Sequence, residues 1–111
     1  MWAPVQSIER SSQAVDVRAD GAAVIRVLVV DDSALVRRLI TTALSEANDI
    51  EVVGVARDGL DAIEKCDELD PDVVTLDVEM PRLDGLGALA EIRSRHPRMP
   101  VIMFSTLTER G

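Results

Sequence analysis

Asp31, Asp32 and Asp77 are the side chains whose type and context best suit them to do chemistry. Asp31 and Asp32 directly follow the apolar, mostly β-branched run Val27-Leu28-Val29-Val30. Asp77 directly follows a second such run, Val73-Val74-Thr75-Leu76. If the two runs are neighbouring parallel strands, all three carboxylates meet at the carboxyl edge of one sheet. Open α/β sheets bind ligands at that edge, where the strand order reverses. Like charges about 4 Å apart repel by on the order of 1 kcal/mol in water and about 4 kcal/mol near a protein surface. A hard divalent cation with oxygen ligands removes that cost, and Mg2+ suits a shallow, wet carboxylate site. The pattern therefore predicts a Mg2+ site that holds a carboxylate placed to react.

The rest of the chain reads as the frame for such a site. The segment 24–30 is apolar except for Arg26, as expected of a strand covered on both faces. Ser33 can cap the helix that follows. Leu35, Val36, Leu39, Ile40, Ala43, Leu44 and Ala47 recur at helical spacing, and Asn48-Asp49 ends that helix. A second strand is expected over 50–56. Asp58-Gly59 opens a second helix with Leu60, Ile63 and Cys66 on one face, and Asp70-Pro71 closes it. The third strand is 73–76. Met80 to Gly85 is a loop rich in turn residues, with Asp84 a suitable cap for a third helix. Leu86, Leu89 and Ile92 form the inner stripe of that helix, which ends near His96-Pro97. Pro100 introduces a fourth strand over 101–104. Strands alternating with helices of this length predict βαβ units and a parallel sheet. Right-handed crossovers place helices on both faces. The expected strand order is 2-1-3-4, which sets strands one and three side by side.

Length and composition set the outer limits. One domain fits in 111 residues, and a 47% apolar fraction is enough for its core. The net charge of −8 lacks the electrostatic footprint of a nucleic-acid binder and would be repelled by an anionic membrane surface. Cys66 is the only cysteine, so no internal disulfide can form, which suits a reducing cytoplasm. It reads as a small core residue. No signal peptide is visible, and no apolar run approaches the roughly 18 residues that a membrane span needs. A cytoplasmic protein without membrane insertion is the expectation. Residues 1–22, with the single tryptophan Trp2, show no sustained period and read as a flexible N-terminal extension; 23–111 is the folded domain.

Three segments carry a family likeness. Val27-Leu28-Val29-Val30-Asp31-Asp32-Ser33 resembles the first strand and acidic pair of response-regulator receiver domains. Val74-Thr75-Leu76-Asp77-Val78-Glu79-Met80-Pro81, with Asp84-Gly85, resembles their phosphoacceptor strand and loop. Val101-Ile102-Met103-Phe104-Ser105 resembles their fourth strand, ending in the switch hydroxyl. Glu51-Val52-Val53-Gly54-Val55-Ala56-Arg57-Asp58 and Ser105-Thr106-Leu107-Thr108-Glu109 narrow the likeness to the receiver half of chemotaxis protein-glutamate methylesterases.

That resemblance implies an α/β, flavodoxin-like three-layer sandwich and a set of roles. Asp77 takes a phosphoryl group from a chemotaxis histidine kinase as an aspartyl phosphate. Asp32, Asp77 and the backbone carbonyl of Glu79 ligate Mg2+, with Asp31 acting through a metal-bound water. Ser105 hydrogen-bonds the phosphoryl group. The switch then regulates an attached methylesterase and deamidase domain that works on chemoreceptors. No residue of that hydrolase's catalytic triad lies in this chain. The family's fifth-strand lysine has no counterpart either, since Lys65, the only lysine, falls on the second helix. The chain thus reads as a receiver truncated before its fifth strand, and an exposed sheet edge would favour self-association.

Plainer readings stand beside these. Asp31 and Asp32 could simply cap a helix, Asp77 could be a strand-end turn residue, and Ser105 an ordinary loop hydroxyl. An alternative function is a stand-alone phosphoacceptor or docking module for a kinase or receptor assembly. A phosphatase with an aspartate nucleophile would want a second aspartate two residues on, where this chain has Glu79. The sequence does not name the cognate kinase or receptor, the phosphate lifetime or the oligomeric state.

Overall fold

Strands and helices alternate along the chain, and each turn between them carries its own chemistry. The structure, a computed structural model, describes residue 21 and residues 23–105. The elements are β1 (Ile25–Val30), α1 (Ala34–Ser45), β2 (Ile50–Ala56), α2 (Gly59–Leu69), β3 (Val73–Asp77), α3 (Gly85–Arg95) and β4 (Val101–Phe104). The expected N-terminal extension, apart from Gly21, and the motif residues 106–109 lie outside the described residues. All three helices start on the caps that the sequence offers. Ser33 Oγ accepts from Val36 N at 3.2 Å, Asp58 Oδ1 from Asp61 N at 2.8 Å, and Asp84 Oδ1 from Gly87 N at 2.9 Å. Each such cap contributes about 1 kcal/mol.

The sheet is parallel throughout, in the expected order β2-β1-β3-β4. Travel from β1 to β2 runs one way across the sheet, and travel from β2 through β3 to β4 runs the other. Right-handed crossovers therefore put α1 on one face and α2 and α3 on the opposite face. The main core fills the α2–α3 side. Leu28, Val30, Val74 and Leu76 from the central strands meet Ala62, Ile63, Cys66, Ala88 and Ile92 from the helices. Burial pushes the Cys66 thiol up to about 11, and the Asp67 and Asp70 charges add to the effect. Such a thiol is an inert core group, as expected.

The helical stripes read from sequence are only partly buried. No residue of α1 is buried, and Leu35 and Leu39 are 65% and 59% exposed. Leu60 and Leu86, each the second residue of its helix, are exposed too, while Ala62 and Ala88 take the inner positions. Helical spacing finds a stripe, but it does not say which end of the stripe projects beyond the sheet. The α1-side face of β4 is uncovered among the described residues, and Ile102 on it is 58% exposed.

Arg26, the one interruption of the β1 run, has a structural reason. Its guanidinium donates to the carbonyls of Leu69 and Asp70 at 3.0 and 2.9 Å, so it caps the end of α2. Cations are favoured at that end of a helix dipole. Its backbone N–H donates to Asp72 Oδ2 at 2.7 Å. Arg26→Met keeps the stem and strips both carbonyls of their donor. We expect a loss of about 1–2 kcal/mol in urea unfolding. An unchanged midpoint would mean that water replaces the guanidinium at no cost. At the same end of the molecule, His96 Nε2 lies 2.8 Å from Asp67 Oδ1, and Arg95 pairs with Asp67 as well, joining α2 to α3.

Candidate metal centre

The register of the sheet decides where the carboxylates go. Val30 of β1 pairs with Leu76 of β3, so the next residues, Asp31 and Asp77, emerge side by side at the carboxyl edge. Asp32 follows at the rim. One ligand atom from each of the three lies within 4.8 Å of the others. Asp31 and Asp77 are each 1% exposed and Asp32 is open to solvent. The sequence expectation that these three meet at one edge is thus met in the geometry.

Backbone groups hold the cluster in place. Asp31 N donates to Ala56 O at 3.0 Å, which ties the end of β1 to β2. Ser33 N donates to Asp31 Oδ1 at 2.9 Å, and Arg37 of α1 donates to the Asp31 carbonyl at 2.8 Å. Glu79 N reaches Asp77 Oδ1 at 3.3 Å. Val78 N donates to Phe104 O at 3.0 Å, so the end of β4 sits beside the end of β3. Ser105 follows Phe104, the register partner of Asp77, and is exposed. Gly85 lets α3 start against this edge. A Cβ there would lie 2.3 Å from the Asp77 carbonyl oxygen, a spacing no side chain survives.

The electrostatics fit a site that wants a cation. Burial raises the Asp31 carboxyl above the ordinary carboxylate range, and the charges of Asp77 and Asp32 add to this, while the Ser33 N–H offsets part of it. Among the described residues, Asp31 Oδ2 is buried with no hydrogen-bond partner. A buried polar atom in that state is costly unless something meets it. The donor set is all oxygen and hard, as Mg2+ prefers, and one wall of the site is open to water. The residues present fit such an ion, since Asp31, Asp32 and Asp77 each bring a carboxylate oxygen to the same spot.

Lys65 stands apart from the cluster, as expected. It lies on α2 and bonds Val55 O at 3.1 Å and Asp61 Oδ1 at 3.3 Å. Sequence reasoning missed Arg37 as a clamp on Asp31. It missed the ion pair of Arg82 with Asp58 beside the site as well. The first stands four residues after the Ser33 cap, a spacing that could have drawn attention. The second joins residues 24 apart in the chain, with no local signal.

Comparison with known proteins agrees with this geometry. The family profile of the response regulator receiver domain matches residues 27–110. The protein-glutamate methylesterase/protein-glutamine glutaminase of Symbiobacterium thermophilum is 59% identical over 87 residues, which is 78% of this chain and 24% of that protein. The chain spans about a quarter of the length of the curated relatives it matches. The crystal structure of the response regulator domain of Thermotoga maritima CheB is 53% identical, with a TM-score of 0.73, over 79% of this chain and 65% of that one. A chain of the CheX-CheY-BeF3-Mg+2 complex from Borrelia burgdorferi is 32% identical, with a TM-score of 0.71, over 78% of this chain and 65% of that one.

Proposed function

This chain belongs to the response regulator receiver family, and from that premise we propose that Asp77 is its phosphoacceptor, in a switch driven by a chemotaxis histidine kinase. The observation that carries the reading is the cluster of Asp31, Asp32 and Asp77 within 4.8 Å at the sheet's carboxyl edge. A carboxylate oxygen of Asp77 attacks the phosphorus of the donor. The new O–P bond forms as the bond from phosphorus to the leaving group breaks, which leaves an aspartyl phosphate. Asp32, Asp77 and the Glu79 carbonyl would hold Mg2+, with Asp31 acting through a water. The ion supplies charge neutralisation, the main need of phosphoryl transfer. Asp31, pinned by the Ser33 N–H, keeps the acidic wall rigid. Ser105, which follows the register partner of Asp77, would donate its hydroxyl to the new phosphoryl group.

The similarity to methylesterases supports a finer reading. Phosphorylation would regulate a linked protein-glutamate methylesterase and glutamine deamidase domain that acts on chemoreceptors in the cytoplasm. No described helix is long and apolar enough to cross a membrane. The domain would run over 23–111, with 1–22 as an extension. The test is phosphoryl uptake from acetyl phosphate in Mg2+, read by intact mass. One added phosphoryl group, absent in chelator, is the expected result, and no uptake at any Mg2+ concentration would overturn the assignment of Asp77.

The exposed Ile102 and the outer edge of β4, which pairs only with β3 among the described residues, support self-association. Light scattering on a sizing column should show a mass above the monomer that falls on dilution. A monomer at every concentration, with one cooperative unfolding transition, would sink this reading.

A further inference from the structure

The loop that follows Asp77 is fastened at each end by a backbone hydrogen bond, and between the two by an ion pair in an unusual setting. Near Asp77, Gly85 N donates to Val78 O at 2.8 Å. At the far side, Gly59 N donates to Leu83 O at 2.9 Å, and a Cβ on Gly59 would lie 2.2 Å from that oxygen. Between the two fixed points run Glu79, Met80, Pro81 and Arg82, with Glu79 N on Asp77 Oδ1 at 3.3 Å and Leu83 N on Pro81 O at 2.7 Å. Arg82 has φ +66, a left-handed backbone that L-residues other than asparagine and aspartate rarely adopt. Its side chain crosses to the β2–α2 turn, where Nε lies 2.7 Å and a second guanidinium nitrogen 2.5 Å from Asp58 Oδ2.

Asp58 is no ordinary surface partner. It is 4% exposed, and its other oxygen caps α2 through Asp61 N. Burial alone would raise its carboxyl, but the Asp61 N–H and the Arg82 guanidinium outweigh that and hold it below the usual range. Arg82 itself is half exposed, but its planar guanidinium bonds a carboxylate that is buried and already anchored through its other oxygen, which narrows the geometries open to the pair. A strained residue persists where its surroundings over-determine it, and such residues gather at functional loops.

We propose that Arg82 and Asp58 are a positioning pair for the cation site: their ion pair holds the loop after Asp77 so that the Glu79 carbonyl is set toward the metal before it arrives. The inference rests on the reading of Asp31, Asp32 and Asp77 as that site. Neither residue of the pair touches the ion. Partners that orient a metal ligand act on affinity, because without them the ligand must be ordered when the metal binds.

The test is calorimetric titration of MgCl2 into the whole chain, with acetyl-phosphate labelling rates over the same Mg2+ range. Arg82→Gly removes the guanidinium and relieves the left-handed backbone, so its fold should survive. It should weaken Mg2+ binding about tenfold, at the low end of what loss of a ligand-orienting partner costs. The Mg2+ concentration for half-maximal labelling should rise by the same factor while the plateau rate stays that of the parent. Asp58→Asn, which keeps the cap, should do likewise, and Arg82→Lys should recover part of the loss. Parent-like Mg2+ affinity in both Arg82→Gly and Asp58→Asn would overturn the pair's role, as would a fall in plateau rate with unchanged half-saturation. Absence of saturable Mg2+ binding in the parent itself would instead remove the site reading and the inference with it.

Discussion

Asp77→Ala is expected to end phosphoryl uptake from acetyl phosphate, with a fall in labelling rate of at least about 10³-fold, the scale on which removal of a nucleophile acts. The parent should gain one phosphoryl group in Mg2+ and none in chelator. Asp31 and Asp32 lie within 4.8 Å of the missing carboxylate, so they are the side chains that could take its place. Geometry disfavours both. Asp31 leaves the end of β1 rather than β3, and Asp32 sits at the open rim, so neither carries its oxygens where the Asp77 carboxylate stood. In-line attack needs the reacting oxygen and phosphorus aligned at near-contact distance, and a shift of about 1 Å already costs on the order of 10²-fold. Peptide mapping of the labelled parent checks the site directly. Equal labelling of Asp77→Ala, mapped to Asp31 or Asp32, would mean that the acidic pair and not the β3 carboxylate is the acceptor.

The same cluster predicts that one substitution reverses its sign with metal. Asp77→Asn removes a charge from a buried site while keeping its shape. In metal-free buffer at pH 7 it should stabilise the fold by about 1–2 kcal/mol, part of the repulsion between like charges near a protein surface. Saturating Mg2+ binds only the folded state, and at about 100 times its dissociation constant it should stabilise the parent by roughly 2.7 kcal/mol. The variant, short of one anionic ligand, should gain much less, so the order of stabilities inverts. Urea unfolding of both proteins with chelator and with MgCl2 measures all four values.

A pH series adds a check on the cause. The Asp31 carboxyl is raised above its ordinary value of 3.8, first by burial and then by its acidic neighbours. Above that value the folded chain binds more protons than the unfolded one, so this group's contribution to metal-free stability falls as pH rises. Asp58, held low by Asp61 N–H and Arg82 against its burial, works in the opposite sense. The difference between Asp77→Asn and the parent isolates the cluster, and it should widen from about pH 4 toward neutrality. A variant clearly less stable than the parent in chelator would defeat the picture of mutually repelling carboxylates.

Much of this molecule was legible without coordinates. The continuous apolar runs ending in Asp31-Asp32 and Asp77 declared two central parallel strands and their common edge. β2 and β4 fell where the runs and turn residues placed them, and Ser33, Asp58 and Asp84 cap the helices they introduce. These features are local: strand burial, cap chemistry and helical period are set by residues a few positions apart. The tertiary structure decided what depends on distance in the chain. It showed that α1 buries none of its residues fully and that Leu60 and Leu86 face solvent, because helix placement over the sheet selects which part of a stripe is covered. It gave Arg26 a helix end 43 residues away to cap, and gave Arg82 the buried Asp58 to hold. It left Asp31 Oδ2 buried without a hydrogen-bond partner among the described residues, beside two further carboxylates. Composition and spacing assign the carboxylates to an edge; only the packed sheet fixes how near they stand, how dry they are and what holds the loop beside them.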